Sequence, residues 1–177
     1  MPEPSVPVNG AIMHLQKTPC GRGQCPTFKL FIYADGRAVY EGERNVTRIG
    51  TWERRLSTAE VSALRSRFER SGFWQLRARY DGNVMDVAGV YLSYSNGRRT
   101  KQVLNRDTEN PPAAFQQLAT ALEALVSSGG WTQSGTPTTP APAPNPAPDR
   151  RPTGTTSPAN PAVNPANAPE RRAIRRR

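Results

Sequence analysis

The stretch KTPCGRGQCPTFKLFIYADGRAVYEG, residues 17–42, places a loop with two cysteines directly before a β-hairpin. Residues 27–33 and 38–40 are rich in the β-branched and aromatic side chains that favour strands. Asp35 and Gly36 lie between them and form a common two-residue hairpin turn signal. Because such short turns join antiparallel neighbours, this stretch predicts an antiparallel sheet.

The pairing within this hairpin follows from the length of its loop. A two-residue loop would pair Ile32 with Val39 and Phe31 with Tyr40. Both faces of the ribbon would then carry apolar residues, which predicts a hairpin covered on both sides. A second hairpin is predicted where Asn96 and Gly97 interrupt alternating strand residues. Strands are expected at residues 12–17, 27–33, 38–40, 47–55, 90–95 and 98–104.

Two amphipathic helices are predicted around the second hairpin. Ser57 and Glu60 have the spacing of a capping box, and apolar residues then recur at intervals of three and four up to residue 68. The second helix begins at the proline pair 111–112 and carries an apolar stripe to residue 126. The order of these elements predicts an α+β domain, an antiparallel sheet built from hairpins with two helices packed on one face.

The two ends of the chain differ in composition from this domain, which we place at residues 11–131. Residues 1–10 contain three prolines and a glycine, which predicts a flexible lead. Residues 132–177 contain 11 of the 18 prolines and no aromatic residue after Trp131. Because such a segment has too little apolar surface to offset its conformational entropy, it predicts a disordered Pro/Ala-rich tail.

The net charge of +10 is shared equally between the tail and the rest of the chain. The tail ends in an arginine cluster, which could bind nucleic acid, anionic lipid or an acidic partner, or could simply be solvated. The cluster consists of Arg171, Arg172, Arg175, Arg176 and Arg177. No apolar run is long enough for a membrane span, so a transmembrane protein is not expected. The first ten residues show no signal peptide, so the localisation stays open. If this start is not the native one, we expect an extracytoplasmic protein.

Cys20 and Cys25 are the only cysteines, and the two glycines between them would let the loop close into a disulfide. Reduced buried thiols are a second interpretation, and a redox or metal site with His14 is a third. The spacing is not that of a thioredoxin motif, and three soft ligands are one short of a closed zinc site. Arg22, flanked by glycines, is a candidate anion-binding residue. No catalytic residue, cofactor or metal is predicted.

The chain also resembles the bacterial family of domains of unknown function DUF6438 over about residues 11–132. The resemblance rests on a basic-Thr-x-Cys…Cys-Pro run at residues 17–26, on the Asp-Gly turn, and on Val39, Tyr40 and Gly42, which are similar to the family's Val-x-Tyr-x-Gly run. Four residues separate the cysteines here, whereas the family usually has three, including a Phe. The family has no assigned activity, so the resemblance implies a fold, and its members often carry export signals, which would suit a disulfide.

These observations favour a monomeric, non-catalytic binding or structural module whose partner is an unknown protein or an envelope component. A binding module of this kind should expose an apolar patch on the sheet face that the helices leave uncovered. The alternatives are a thiol-dependent redox or metal-binding protein, and recruitment to nucleic acid or anionic lipid through the tail.

Overall fold

A computed structural model of the chain describes residues 10–134. Residues 1–9 of the predicted lead, all but the first three residues of the predicted tail, and the tail arginines lie outside the described residues. A 3₁₀ turn at Phe73–Gln75 adjoins the first helix. The remaining elements are β1 (Met13–Lys17), β2 (Thr27–Ile32), β3 (Arg37–Arg44), β4 (Gly50–Arg55), α1 (Thr58–Arg70), β5 (Arg79–Asp81), β6 (Val90–Ser95), β7 (Thr100–Arg106), α2 (Ala113–Ser127) and β8 (Thr132–Gln133).

The described strands form one sheet in the order β5-β7-β6-β1-β2-β3-β4-β8. All neighbouring strands are antiparallel except the short β5, which runs parallel to β7. Leu15 and Leu30 of the sheet pack in one buried cluster with Phe68 of α1 and Leu122 of α2. Both helices therefore cover the same face, and the predicted α+β architecture is confirmed. The sheet extends through Gln133, two residues into the segment predicted to be tail.

The register of the first hairpin differs from the predicted one. Phe31 pairs with Val39 and Ile32 with Ala38, and the Tyr33 N–H donates to the Arg37 carbonyl at 2.9 Å, so the loop contains the three residues 34–36 and not two. Gly36 takes a φ of +87° at the last loop position, and its carbonyl accepts a hydrogen bond from the Leu56 backbone at 2.8 Å. A three-residue loop that ends in a glycine accommodates both the positive φ at this position and the hydrogen bond from Leu56. This one-residue shift sends Phe31 and Val39 to the helix-free face.

The loop of the second hairpin is also longer than predicted. Tyr94 pairs with Lys101, whereas a two-residue turn at Asn96 and Gly97 would have placed Arg99 opposite it. The Asn96 side chain accepts hydrogen bonds from the backbone N–H groups of Arg98 and Arg99, both at 3.1 Å, and thereby closes a four-residue loop. The shift is by two residues, so each side chain stays on its predicted face.

The predicted start of α1 is confirmed. The Ser57 hydroxyl accepts the backbone N–H of Glu60 at 3.2 Å, and the Glu60 carboxylate accepts the backbone N–H of Ser57 at 2.8 Å. The bond from the Ser57 backbone N–H, together with one from the Ser57 hydroxyl to the same carboxylate at 2.9 Å, lowers the pKa of Glu60 below its ordinary value by stabilising the ionised form. Leu56 and Val61 flank the cap and are both buried in the main core.

The helix-free face does not expose the apolar patch that was predicted. Ala11, Phe31 and Val39 form a small cluster there, but each is buried. The large apolar side chains that are exposed within residues 10–134 are Ile49, Val84 and Met85, and all three lie in loops. None of the helices in this part of the chain is long and apolar enough to cross a membrane.

Candidate functional site

The predicted disulfide is confirmed: Sγ of Cys20 and Sγ of Cys25 are 2.06 Å apart, and the two Cα atoms are separated by 5.7 Å. Asn45, in the turn between β3 and β4, fixes the loop from one side. Its side-chain amide donates to the carbonyl oxygens of Gly23 at 2.7 Å and Cys25 at 3.0 Å. The cysteine loop is therefore held covalently at its base and by hydrogen bonds at its tip.

The segment before β6 fixes the same loop from the other side. The backbone N–H of Thr18 donates to the carbonyl of Gly89 at 2.9 Å, and the Gly89 N–H donates to the Thr18 hydroxyl at 2.8 Å. Further along, Gly21 donates its N–H to the carbonyl oxygen of Asp86 at 3.0 Å. These contacts make two irregular segments into opposing walls of one concave site.

The space between these walls, which we call the disulfide cleft, has a volume of about 730 Å³. Its lining is mainly apolar and includes the disulfide, Pro26, Val84, Met85, Val87 and Val90. Val84 is 46% exposed and Met85 is 87% exposed. The volume lies within the range of ligand sites in proteins. The cleft thus combines a preformed concavity with apolar side chains that are exposed to solvent.

Lys17 forms the inner end of the disulfide cleft. It is the last residue of β1, and its Nζ lies 2.9 Å from Oε1 of Glu123 on α2. The same lysine lines a second concavity of about 290 Å³ beneath α2, which also contains Asn105. Oδ1 of Asn105 is buried and has no hydrogen-bond partner among residues 10–134, while its amide donates to the carbonyl of Asp107 at 3.1 Å. The disulfide cleft is therefore offered one ammonium donor by Lys17, whereas the unused acceptor of Asn105 belongs to the neighbouring concavity.

Arg22, the predicted anion-binding residue, is exposed at the tip of the cysteine loop and lines the disulfide cleft. Among the described residues it has no ion-pair partner. Asp86 lines the opposite wall with a φ of +57°, an uncommon conformation for a residue with a side chain. The cleft therefore has a cation on one wall and a carboxylate on the other.

His14 does not line the cleft. It is the second residue of β1, and its ring is fully buried and stacked on Phe31 at 4.9 Å between centroids, within the helix-free face. Burial, with a smaller effect from Lys29, lowers the pKa of His14 to about 4. Neither ring nitrogen has a hydrogen-bond partner in the described part of the chain. The proposed dyad or metal set of His14 with the cysteines is not assembled, and residues 10–134 contain no cluster suited to a metal ion.

Several residues of the cleft were not predicted from the sequence. Val84 and Met85 lie in a segment for which the sequence predicted neither a strand nor a helix. The useful signal was the set of apolar residues at positions 84, 85, 87 and 88 of one loop, because an exposed apolar group of this kind is typical of a binding surface. The contact between Lys17 and Glu123 has no local signal, since 106 positions separate the two residues.

Comparison with known proteins gives one family and no characterised relative. A family model described as "Domain of unknown function (DUF6438)" matches residues 11–126. No curated protein matches the chain.

Proposed function

We propose that the chain, which belongs to the DUF6438 family of domains of unknown function, is a non-catalytic module that binds a partner protein in the disulfide cleft. The observation that carries this proposal is the exposure of Val84 and Met85 beside a preformed concavity. Exposed apolar side chains at a concave site mark surfaces that become covered on binding. Methionine suits such a surface because its flexible thioether adapts to different contacts.

The position of the apolar side chains favours a protein segment over a small molecule. A small ligand is mostly enclosed by its pocket, whereas Met85 is almost fully exposed at the rim of this one. Covering that side chain requires a ligand that extends beyond the concavity. We therefore expect the partner to insert an apolar side chain between the walls and to pack more of its surface against Val84 and Met85.

The charges at the cleft favour an acidic group next to that apolar anchor. Arg22 has no ion-pair partner within residues 10–134, and Lys17 lies at the inner end with a single carboxylate partner. A carboxylate of the partner could form a bidentate hydrogen-bonded pair with the Arg22 guanidinium. Disulfides persist in oxidising compartments, so we expect the module and its partner to meet outside the cytoplasm.

A display selection tests the proposal and does not require the partner to be identified. Peptides from a random library are selected on the immobilised full-length protein, and their dissociation constants are measured by fluorescence anisotropy. Val84→Asp should raise the dissociation constants of the selected peptides at least about tenfold, because a charge replaces an apolar contact that binding would bury.

Ile49→Asp is the matched control, because Ile49 has the same 46% exposure as Val84 but lies in the turn before β4 and does not line the cleft. It should leave the dissociation constants unchanged, and both variants should melt at the temperature of the parent protein. The proposal is wrong if no peptide is enriched, or if Val84→Asp and Ile49→Asp bind the selected peptides equally well.

A further inference from the structure

Four arginines lie at the end of the domain opposite the disulfide cleft, and we call this surface the basic end. Val90 begins β6 at the cleft, whereas Ser95 ends β6 at the hairpin loop that carries part of this cluster. The last two turns of α1 and the hairpin loop together contribute Arg65, Arg70, Arg98 and Arg99.

A network around Glu69 holds these segments together as one surface. The Glu69 carboxylate accepts hydrogen bonds from Trp74 Nε1 at 3.0 Å and from the Tyr94 hydroxyl at 2.9 Å. It also accepts the side-chain amide of Asn96, in the hairpin loop, at 3.3 Å. The Arg99 guanidinium lies over the Trp74 ring, 3.8 Å from its centroid. The helix and loop segments that carry these arginines are therefore held in a fixed relation to each other.

The charge of the basic end is largely uncompensated. Glu69 is the one acidic side chain in this network, and none of the four arginines forms an ion pair with a carboxylate in the described part of the chain. Like charges on one surface repel each other, and a bound anion relieves that repulsion. Guanidinium groups suit phosphate in particular, because they form paired, charge-assisted hydrogen bonds with its oxygens.

We propose that the basic end binds the anionic phospholipid headgroups of a membrane surface. The Cys20–Cys25 disulfide favours this partner over nucleic acid, because disulfides persist in compartments where membranes present phosphate and nucleic acid is scarce. The basic end and the disulfide cleft lie at opposite ends of β6. A protein partner could therefore occupy the cleft while the domain is bound to the membrane.

Vesicle sedimentation tests this proposal in the full-length protein. The five tail arginines at residues 171–177 are first replaced by glutamine, so that they do not contribute to binding. This parent should sediment with vesicles of equal parts phosphatidylglycerol and phosphatidylcholine, not with phosphatidylcholine alone, and added salt should release it. Arg70→Gln/Arg98→Gln/Arg99→Gln should weaken binding about tenfold or more.

The matched control is Arg37→Gln/Arg44→Gln/Arg55→Gln, which removes the same charge from exposed positions of β3 and β4. Like Arg99, Arg37 stacks on an aromatic ring, that of Tyr33, so the control also removes one such contact. It should retain most of the binding. Equal losses in the two triple variants, or no binding of the parent to the anionic vesicles, would overturn the proposal. Binding to duplex DNA in the absence of vesicle binding would favour nucleic acid instead.

Discussion

Gly21 and Asp86 hold the two walls of the disulfide cleft together at a distance that leaves no room for a side chain on Gly21. The Gly21 backbone N–H donates to the Asp86 carbonyl oxygen at 3.0 Å. A Cβ on Gly21 would lie 2.6 Å from Cβ of Asp86 and 2.9 Å from its Cγ. Both distances are well inside van der Waals contact, so glycine at this position permits the close approach of the walls.

We expect Gly21→Ala to push the Asp86 wall outward and so to weaken the binding of the selected peptides. It should also lower the free energy of unfolding by about 1–3 kcal/mol. Asp86→Gly in the same chain removes the clashing atoms and suits the positive φ of Asp86, so the double variant should regain binding and stability. Denaturant unfolding and anisotropy measure both quantities. Gly129→Ala, where a Cβ would meet nothing within 4 Å, is the control. A double variant no better than Gly21→Ala would contradict the steric explanation.

The disulfide should stabilise the domain without being required for its fold. Closing so short a loop contributes about 2–3 kcal/mol in the chain-entropy model, less than the contribution of the core. The variant Cys20→Ser/Cys25→Ser should therefore fold with its free energy of unfolding reduced by about that amount. A reducing agent should destabilise the parent protein to the same level and leave the double variant unchanged.

Thiol titration provides the second measurement for the same prediction. Without reductant, a thiol reagent should find no reactive cysteine before or after unfolding, because both cysteines are in the bond. Reduction should release two thiols. Two reactive thiols in the native, unreduced protein would instead support the redox interpretation of this loop.

Local patterns predicted the parts of this fold that depend on neighbouring residues. The capping box of Ser57 and Glu60 spans three positions, and the disulfide spans five, so each could be predicted from a short stretch. The register of the first hairpin could not, because the hydrogen bond from Leu56 to Gly36 crosses 20 positions. Loop length is decided by that distant contact as well as by the turn residues.

The edge strand β5 and the candidate site depended even more on distant contacts. The strand Arg79–Asp81 has only three residues, and no hairpin turn in the sequence indicates its parallel pairing with β7. Lys17 and Glu123 meet only because α2 packs over β1. The exposed side chain of Met85 could be identified only after the loop that carries it was placed beside the cysteines.

Gly42, the last residue of the Val39-Tyr40-x-Gly42 run, has a steric role that predicts a large effect of substitution. A Cβ on Gly42 would lie 1.8 Å from the carbonyl oxygen of Arg48, which is backbone and cannot rotate away. Gly42→Ala should therefore distort the turn between β3 and β4 and lower the free energy of unfolding by about 3 kcal/mol or more. Denaturant unfolding of Gly42→Ala beside Gly129→Ala checks this. A loss below about 1 kcal/mol would show that the turn can move without cost.

His14 should make the stability of the domain depend on pH. Burial lowers the pKa of His14 to about 4 in the folded protein, below the ordinary value of 6.5. Between these values the unfolded chain binds a proton that the folded protein excludes. The contribution of His14 to the free energy of unfolding is therefore fully present above about pH 6.5, decreases as the pH falls, and is lost below about pH 4. A shift of this size corresponds to about 3 kcal/mol.

Urea unfolding at intervals from pH 7 to pH 4 should show this loss in the parent protein. His14→Gln replaces the ring with a side chain of similar size that does not titrate, so its stability should fall less over the same range. Carboxylates whose pKa values are lowered, such as Glu69, also reduce stability in acid, but they do so equally in both proteins. The difference between the two curves therefore isolates the buried ring. Parallel curves would mean that His14 takes up its proton without unfolding the helix-free face around it.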